Sequence, residues 1–312
     1  MFEMLRVTTR ARVAPVALAM FFAACGGSDS ASDGIGSGVA SDQDPLLVVA
    51  TTTILGDVMA NIVGDEARLE VLVPLGVDPH EYRVSSRQAA LIQEADLVVA
   101  NGLGFEEGLV DVLSAARQDG ANVFELAELL DPIRLGGSGA WDPHVWMDPQ
   151  RMAMAARLVA GELSTLDGRV DWTAAADSYR TRLFEVDKEI ETLLAEIDDR
   201  QLVSNHAVFG YFADRYGFEI VGTVIPGTTT LSDPSSAELA ELVNRIEETG
   251  VRAILVGTTG PGLLAEAVVG EIGGSVELVE VYTGSLGGPG SGAETLIDML
   301  RTNAQLIVEA LS

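Results

Sequence analysis

Short β-rich runs alternate with longer helix-like segments along most of this chain, and this alternation most constrains its fold. It occurs twice, once on each side of a long stretch with helical periodicity. Strands that alternate with helices are typical of a parallel sheet with helices on both faces. The chain is therefore predicted to be an α/β protein with two parallel-sheet lobes, an N-terminal lobe over residues 46–168 and a C-terminal lobe over residues 200–312.

The individual elements follow from β-rich and amphipathic runs. The predicted strands are 46–51, 69–73, 96–101 and 122–126 in the first lobe, and 201–205, 219–224, 252–257 and 276–282 in the second. The predicted helices are 55–63, 85–94 and 106–118, a further one that begins near Pro149, and 207–216, 235–249, 261–272 and 292–310.

A long linking helix is predicted over residues 169–199. Its apolar residues recur at spacings of three and four, as one face of a helix requires: Tyr179, Leu183, Val186, Ile190, Leu193 and Ile197. The 28 residues 171–198 within this range would span roughly 42 Å as a helix. A single rigid backbone helix of that length would join the two lobes and restrict their opening.

The N-terminus is predicted to be an export signal rather than part of the fold. Three Arg precede the apolar run "VAPVALAMFFAA", which is too short for a permanent transmembrane helix. Residues 1–24 are therefore predicted to be a lipoprotein signal peptide, and Cys25, the only cysteine, the lipidated residue. The alternative is a plain signal peptide that happens to contain a cysteine. Residues 25–45 are rich in Gly, Ser and Asp and predict a flexible tether. The protein would be exported and lipid-anchored on the outer face of the cytoplasmic membrane.

The formal net charge of −28 argues against nucleic acid or anionic lipid as a partner. Its ordinary interpretation is solubility.

The chain has only three histidines, and each lies in a predicted loop or at a helix start: His80, His144 and His206. In open α/β sheets, ligands bind outside the carboxyl ends of the strands, so these loops should converge at the cleft between the lobes. Any one of the histidines could be a structural residue in a loop. The set of three instead indicates a metal site, and imidazoles favour Zn²⁺ over Mn²⁺, whose sites carry more carboxylate.

Two of the histidines share the tripeptide Asp-Pro-His. Proline stiffens the approach to each His. The preceding carboxylates, Asp78 and Asp142, are candidates to accept a hydrogen bond from the ring nitrogen that does not bind the metal.

Other chemistry has little support in the sequence. There is no Gly-rich dinucleotide motif after a strand and no P-loop. The threonine runs "VATTT" and "GTTTLS" are interpreted as ordinary loop polarity. The segment "VGTTGPG" (256–262) is interpreted as a turn into a helix rather than an anion-binding nest.

These motifs resemble the metal-binding solute-binding proteins of zinc/manganese-type ABC importers. The likeness covers nearly all of residues 46–312 and rests on the following segments: "VATTTILGDVMANIVGD", "VPLGVDPHEYRVSSRQAALIQEADLVVANGLGFE", "DPHVWMDP", "SNHAVFGYFADRYGFEIVG", "PSSAELAELVNRIEETGVRAILV" and "TLIDMLRTNAQLI". The resemblance implies two α/β lobes joined by a rigid helix, one metal at the interlobe cleft, and delivery of that metal to a membrane permease.

Carried over by position, the resemblance implies metal ligands at His80, His144 and His206. Members with His at the third position look like zinc binders, whereas manganese binders usually have Glu there. The family's fourth ligand is normally an Asp in a Tyr-x-Asp-Ser-Leu segment. Here residues 282–286 read "YTGSL", so Gly284 replaces that Asp.

Three explanations for the missing ligand follow. Water or another small ligand fills the fourth position, Asp78 or Glu81 swings in as a substitute, or the site takes another metal or a metal complex. The first is favoured.

The leading functional hypothesis is a monomeric, non-enzymatic protein that captures Zn²⁺ outside the cell and hands it to an ABC permease. The alternatives are an exported zinc hydrolase with an open three-His site, and a metal-binding surface adhesin without a transport partner.

Overall fold

The computed structural model describes residues 44–135, 139–260, 262–273 and 276–312. The predicted signal peptide, Cys25 and nearly all of the predicted tether lie outside the described residues. Residues 44–312 form one compact unit that contains both predicted lobes.

Two four-stranded sheets, with every strand pair parallel, form the centres of the lobes. The strands of the first sheet are β1 (Leu46–Ala50), β2 (Ala67–Val71), β3 (Leu97–Ala100) and β4 (Val123–Glu125). Those of the second are β5 (Gln201–Ser204), β6 (Glu219–Thr223), β7 (Ala253–Gly257) and β8 (Glu277–Val281). The spatial orders are β2-β1-β3-β4 and β6-β5-β7-β8, which are the same permutation. The predicted two-lobe α/β fold with parallel sheets is confirmed.

The helices connect successive strands or join the lobes. In the described part of the chain they are α1 (Thr53–Val63), α2 (Ser86–Glu94), α3 (Val110–Gln118), α4 (Pro149–Leu166), α5 (Trp172–Leu193), α6 (Gly210–Tyr216), α7 (Ser236–Thr249), α8 (Leu263–Ile272) and α9 (Leu296–Leu311). None of these helices is both long and apolar enough to cross a membrane.

Capping residues explain where several helices begin. Ser85 and Ser235 each form a capping box with the residue three positions later, Gln88 and Glu238 respectively. Asp148 accepts hydrogen bonds from the first turn of α4, and a proline at the first helical position suits that start. These short polar side chains supply partners for backbone N–H groups that would otherwise have none.

The linking helix observed is α5, which is shorter than the predicted stretch of 169–199. Asp171 caps its start, and a single 3₁₀ turn (Leu194–Glu196) follows its end. Its predicted apolar face is buried from Tyr179 to Ile190. A charged residue, Asp187, lies on the same buried face.

Asp187 connects α5 to both lobes by hydrogen bonds. Its carboxylate accepts from Arg215 Nε at 2.8 Å and Tyr216 Oη at 3.0 Å, both on α6. It also accepts from Gln150 Nε2 on α4 at 3.0 Å. A buried charge is tolerated when it is paired and hydrogen-bonded in this way.

One apolar core runs from the first sheet to the second through α4, α5 and α9. Two smaller cores cover the outer faces, one in each lobe. The lobes are therefore packed through shared helices, and the loops at the carboxyl ends of their strands face a common cleft.

Candidate metal site

The structure brings the three histidines together. His80 follows β2, His144 lies just before α4, and His206 follows β5. One potential ligand atom from each ring lies within 4.8 Å of the others. The ring centroids are 5.8 Å (His80–His144), 5.8 Å (His80–His206) and 5.2 Å (His144–His206) apart. All three are buried. Two nitrogens bound to one Zn²⁺ lie at most about 4.2 Å apart, twice the Zn–N bond length of about 2.1 Å, so a small inward movement of these rings would let them bind one ion jointly.

His144 is held by the carboxylate of its own Asp-Pro-His turn. Asp142 Oδ1 accepts from the His144 backbone N–H at 2.9 Å and lies 2.8 Å from Nδ1 of its ring. Because Oδ1 acts as an acceptor, the ring carries its hydrogen on Nδ1. The other nitrogen, Nε2, is buried without a hydrogen-bond partner. Its lone pair is therefore available to a metal.

His80 has the same turn but a different ring partner. Asp78 Oδ1 accepts from the His80 backbone N–H at 2.9 Å, as in the other turn. The ring Nδ1 instead lies 3.2 Å from Glu107 Oε1. The expectation that Asp78 would pair with the ring is wrong, because the second Asp78 oxygen turns to the other lobe and accepts from Thr230 Oγ1 at 2.7 Å. Here too Nε2 is buried without a partner.

Burial keeps the imidazoles neutral. It is the main cause that lowers the pKa of His80, and it lowers the pKa values of His144 and His206 well below the usual 6.5. Mutual repulsion adds to the effect for His144 and His206. A metal binds the neutral ring, so protons compete weakly with a metal at this site.

The same burial acts on Asp142 with the opposite sign. It raises the pKa of that carboxyl to about 7, against the hydrogen bond from the His144 N–H and the charge of Arg151, which lower it.

The three rings enclose a small cavity of about 10 Å³. That is roughly the space one water molecule needs. The other residues that line the cavity are Asp78, Phe105, Thr230, Thr259, Gly260, Thr283 and Gly284. Apart from Asp78, these residues are uncharged.

Aromatic side chains cover the first-lobe side of the site. The Trp146 ring lies 5.2 Å from His144 and 4.6 Å from Phe105, between ring centroids. Its Nε1 donates to the Thr283 carbonyl at 2.8 Å, across the cleft. Trp141, five residues before Trp146, is instead 40% exposed, and its ring lies against Arg134.

Glu81 does not line the cavity. It borders an open recess on the other side of His80, together with Glu107. In this structure Asp78 is therefore the candidate substitute carboxylate that lines the cavity, and Glu81 is not.

Sequence reasoning missed Glu107, Thr230 and Glu106. Glu106 is buried and accepts from Thr51 Oγ1 at 2.6 Å and from the Asn101 N–H at 2.7 Å, which ties the loops after β1 and β3 together. The interpretation of the threonine runs as ordinary loop polarity is wrong for Thr51 and Thr230, which bond to buried carboxylates. Their position in the sequence could have identified them. Glu106 and Glu107 lie in "GFEEGL" and Thr230 lies in "GTTTLS", and both segments follow predicted strands, as the histidines do.

Comparisons with known proteins agree with this architecture. The family model for the zinc-uptake complex component A, a periplasmic protein (ZnuA), matches residues 48–310. The manganese-binding lipoprotein MntA of Halalkalibacterium halodurans is 30% identical over 300 residues, covering 95% of this chain and 96% of that protein. The zinc-binding protein TroA of Treponema pallidum is 31% identical over 291 residues, covering 88% and 91%.

A solved structure of the periplasmic zinc-binding protein TroA from Treponema pallidum superposes with a TM-score of 0.80. It is 27% identical and covers 86% of this chain and 100% of that one. The resemblance recognised in the sequence is thus confirmed, and the chain belongs to the family of the periplasmic zinc-uptake complex component A.

Proposed function

We propose that this chain captures Zn²⁺ outside the cytoplasm and delivers it to an ABC permease, and that His80, His144 and His206 bind the ion. The observation that carries the proposal is the set of three buried, neutral imidazoles around a cavity of about 10 Å³. The unpartnered Nε2 atoms of His80 and His144 support it, because buried polar atoms without partners are rare in native proteins.

The donor set favours zinc over manganese. Relatives are named for each metal. Imidazole suits Zn²⁺, whereas Mn²⁺ prefers carboxylate, carbonyl and water oxygens. The one carboxylate that lines the cavity, Asp78, already accepts hydrogen bonds at both of its oxygens. We therefore propose that Mn²⁺ binds weakly.

Metal titration of the purified protein followed by native mass spectrometry tests the site. We expect one Zn²⁺ per chain, lost in the His206→Ala variant, and no Mn²⁺ retained at micromolar concentrations. Glu81→Gln is the matched control, because Glu81 lies outside the cavity, and it should bind like wild type. Absence of zinc from metal-loaded wild type would refute the site, and tight Mn²⁺ binding would refute the selectivity.

Delivery to a permease requires anchoring and uptake. Several relatives are named as lipoproteins, and we propose that Cys25 carries the lipid and that the protein works as a monomer. Uptake of radioactive zinc should fall when the gene is deleted and recover with wild type but not with His206→Ala. A Cys25→Ser variant should leave the membrane fraction. Unchanged uptake after deletion would favour the adhesin alternative.

The zinc hydrolase alternative finds little support in the site. A hydrolase must hold a substrate beside its metal. The cavity has room for about one water molecule. Zinc-dependent hydrolysis of model esters by the purified protein would revive this alternative.

A further inference from the structure

The metal site is closed to solvent in this structure. Each of the three histidines is at most 5% exposed, and the cavity between them has a volume of about 10 Å³. A zinc ion therefore reaches the ring nitrogens, or leaves them, only if part of the surrounding wall moves. The lobes meet around the cavity along two seams, which residues 283–286 and residues 230–231 of the second lobe form with the first lobe.

The seam at residues 283–286 is closed by several hydrogen bonds. They run from Trp146 Nε1 to the Thr283 carbonyl at 2.8 Å, from the Gly76 N–H to Ser285 Oγ at 2.9 Å, and from the Leu286 N–H to Thr53 Oγ1 at 3.1 Å. Thr283 and Ser285 are both at most 2% exposed. Parting the lobes here would break all of these bonds and leave buried polar groups without partners, which costs free energy at each of them.

The seam at residues 230–231 has fewer hydrogen bonds and borders solvent. Among the described residues, one hydrogen bond crosses it, from Thr230 Oγ1 to Asp78 Oδ2 at 2.7 Å. The next residue, Leu231, is 49% exposed. It lines an open recess of about 370 Å³ together with five residues of the first lobe, which are His80, Glu81, Arg83, Glu107 and Gly108. Opening this seam therefore breaks fewer interactions than opening the other one.

The His80 ring separates this recess from the metal cavity, because it lines both of them. Its Nδ1 lies 3.2 Å from Glu107 Oε1 on the recess side, and its Nε2 is buried without a partner. The Glu107 side chain is 37% exposed, so water can replace it at Nδ1 when the ring moves. The ring thus forms a thin, movable wall between solvent and the cavity.

The recess also has the charge that attracts a cation. Glu81 and Glu107 contribute two carboxylates to its lining, and Arg83 contributes one guanidinium. A recess with an excess of negative charge raises the local concentration of cations and with it their rate of entry.

We propose, on the basis of the function proposed above, that Zn²⁺ enters and leaves through the recess beside Leu231, past the His80 ring, while the seam at residues 283–286 stays closed. Leu231 lies outside the cavity, so a change of its size alters the barrier to entry and exit and not the bound state. The association and dissociation rates should then change by the same factor, which leaves the dissociation constant unchanged.

The same substitution at two leucines tests this route. Leu231→Trp narrows the recess. Leu75→Trp is the matched control, because Leu75 is 47% exposed and precedes Gly76, on the closed seam. Stopped-flow absorbance measures zinc release from the purified, metal-loaded protein to an excess of a chromophoric chelator. Equilibrium competition with the same chelator gives the dissociation constant, and the two values together give the association rate.

We expect Leu231→Trp to slow both rates about tenfold or more, with a dissociation constant within about threefold of wild type. Leu75→Trp should keep both rates of wild type. Leu231→Ala widens the recess without added bulk and should speed both rates together. Unchanged rates in the two Leu231 variants, or slower release from Leu75→Trp, would overturn the route, as would a changed dissociation constant at an unchanged association rate. Absence of zinc binding by wild type would overturn the proposed function instead.

Discussion

The two Asp-Pro-His turns share the same backbone hydrogen bond but differ in the carboxylate that contacts the His ring. In both, the Asp Oδ1 accepts from the His backbone N–H at 2.9 Å. In the second turn that oxygen also binds the His144 ring, and the pair is fully buried. In the first turn the His80 ring pairs with Glu107, whose side chain is 37% exposed.

The aspartates of the two turns therefore have different roles. Asp142 orients a ligand, whereas Asp78 positions its backbone and joins the lobes through Thr230. A local motif therefore sets the local turn, and its surroundings decide what the carboxylate does. Variants in the two turns can test this division.

The largest effect is expected from removal of the imidazoles. His80→Ala and His144→Ala each delete one of three protein donors, so zinc affinity should fall by more than about 100-fold, the upper limit for loss of an outer partner. Competition with a chromophoric chelator measures it, and circular dichroism checks folding. If only one of the two variants lost affinity, the other histidine would not be a ligand.

The partners of the two rings should differ in strength. Asp142→Ala removes a buried acceptor 2.8 Å from His144 Nδ1, so we expect affinity to fall roughly 10- to 100-fold. Glu107→Ala removes a more distant and partly exposed partner of His80, and water can replace it, so the loss should be less than about tenfold. The same chelator competition compares them. Equal losses of zinc affinity in the two variants would mean that the buried partner of His144 contributes no more than the partly exposed partner of His80.

Each turn also has a hydrogen bond to the second lobe. Thr230→Val leaves a buried carboxylate oxygen of Asp78 without its donor and should cost about 2–3 kcal/mol of unfolding free energy. Tyr211→Phe removes the donor to the Asp142 carbonyl, at 2.7 Å, and should cost about 1–2 kcal/mol because that acceptor is uncharged. Urea unfolding of the metal-free protein measures both. The reverse order would show that Asp78 is not the stronger interlobe contact.

The smallest expected effect is a difference between the pKa values of His80 and His144. Burial lowers the pKa of both His80 and His144 below 6.5, but Asp78, Glu107 and Glu81 partly offset it for His80, whereas His80 lowers it further for His144. As pH falls, His80 should therefore take up a proton first. Proton NMR of the metal-free protein can follow the ring signals.

The lowered pKa values of His80 and His144 also make the folded protein less stable at low pH. The unfolded chain binds protons near pH 6.5, before the folded state does, so stability from these histidines is complete above pH 6.5 and is lost as pH falls. Protonation of His144 before His80 would contradict the contrast between the turns.

Much of the fold was predictable because its signals are local. Short β-rich runs located all eight strands of the described chain within two residues at their starts, and the spacing of apolar residues predicted the buried face of α5. The buried Asp187 on that face was not predicted, because its partners on α4 and α6 are distant in sequence.

The site was predictable only in part. By itself the sequence determined that three histidines follow strands or open helices and that two sit in stiff Asp-Pro-His turns. Only the tertiary structure decided that Glu107, 27 residues from His80, pairs with its ring, and that Thr230, 152 residues from Asp78, holds that carboxylate. Identical tripeptides cannot encode different partners, because a hydrogen bond goes to whichever group the packing of distant segments brings within about 3 Å.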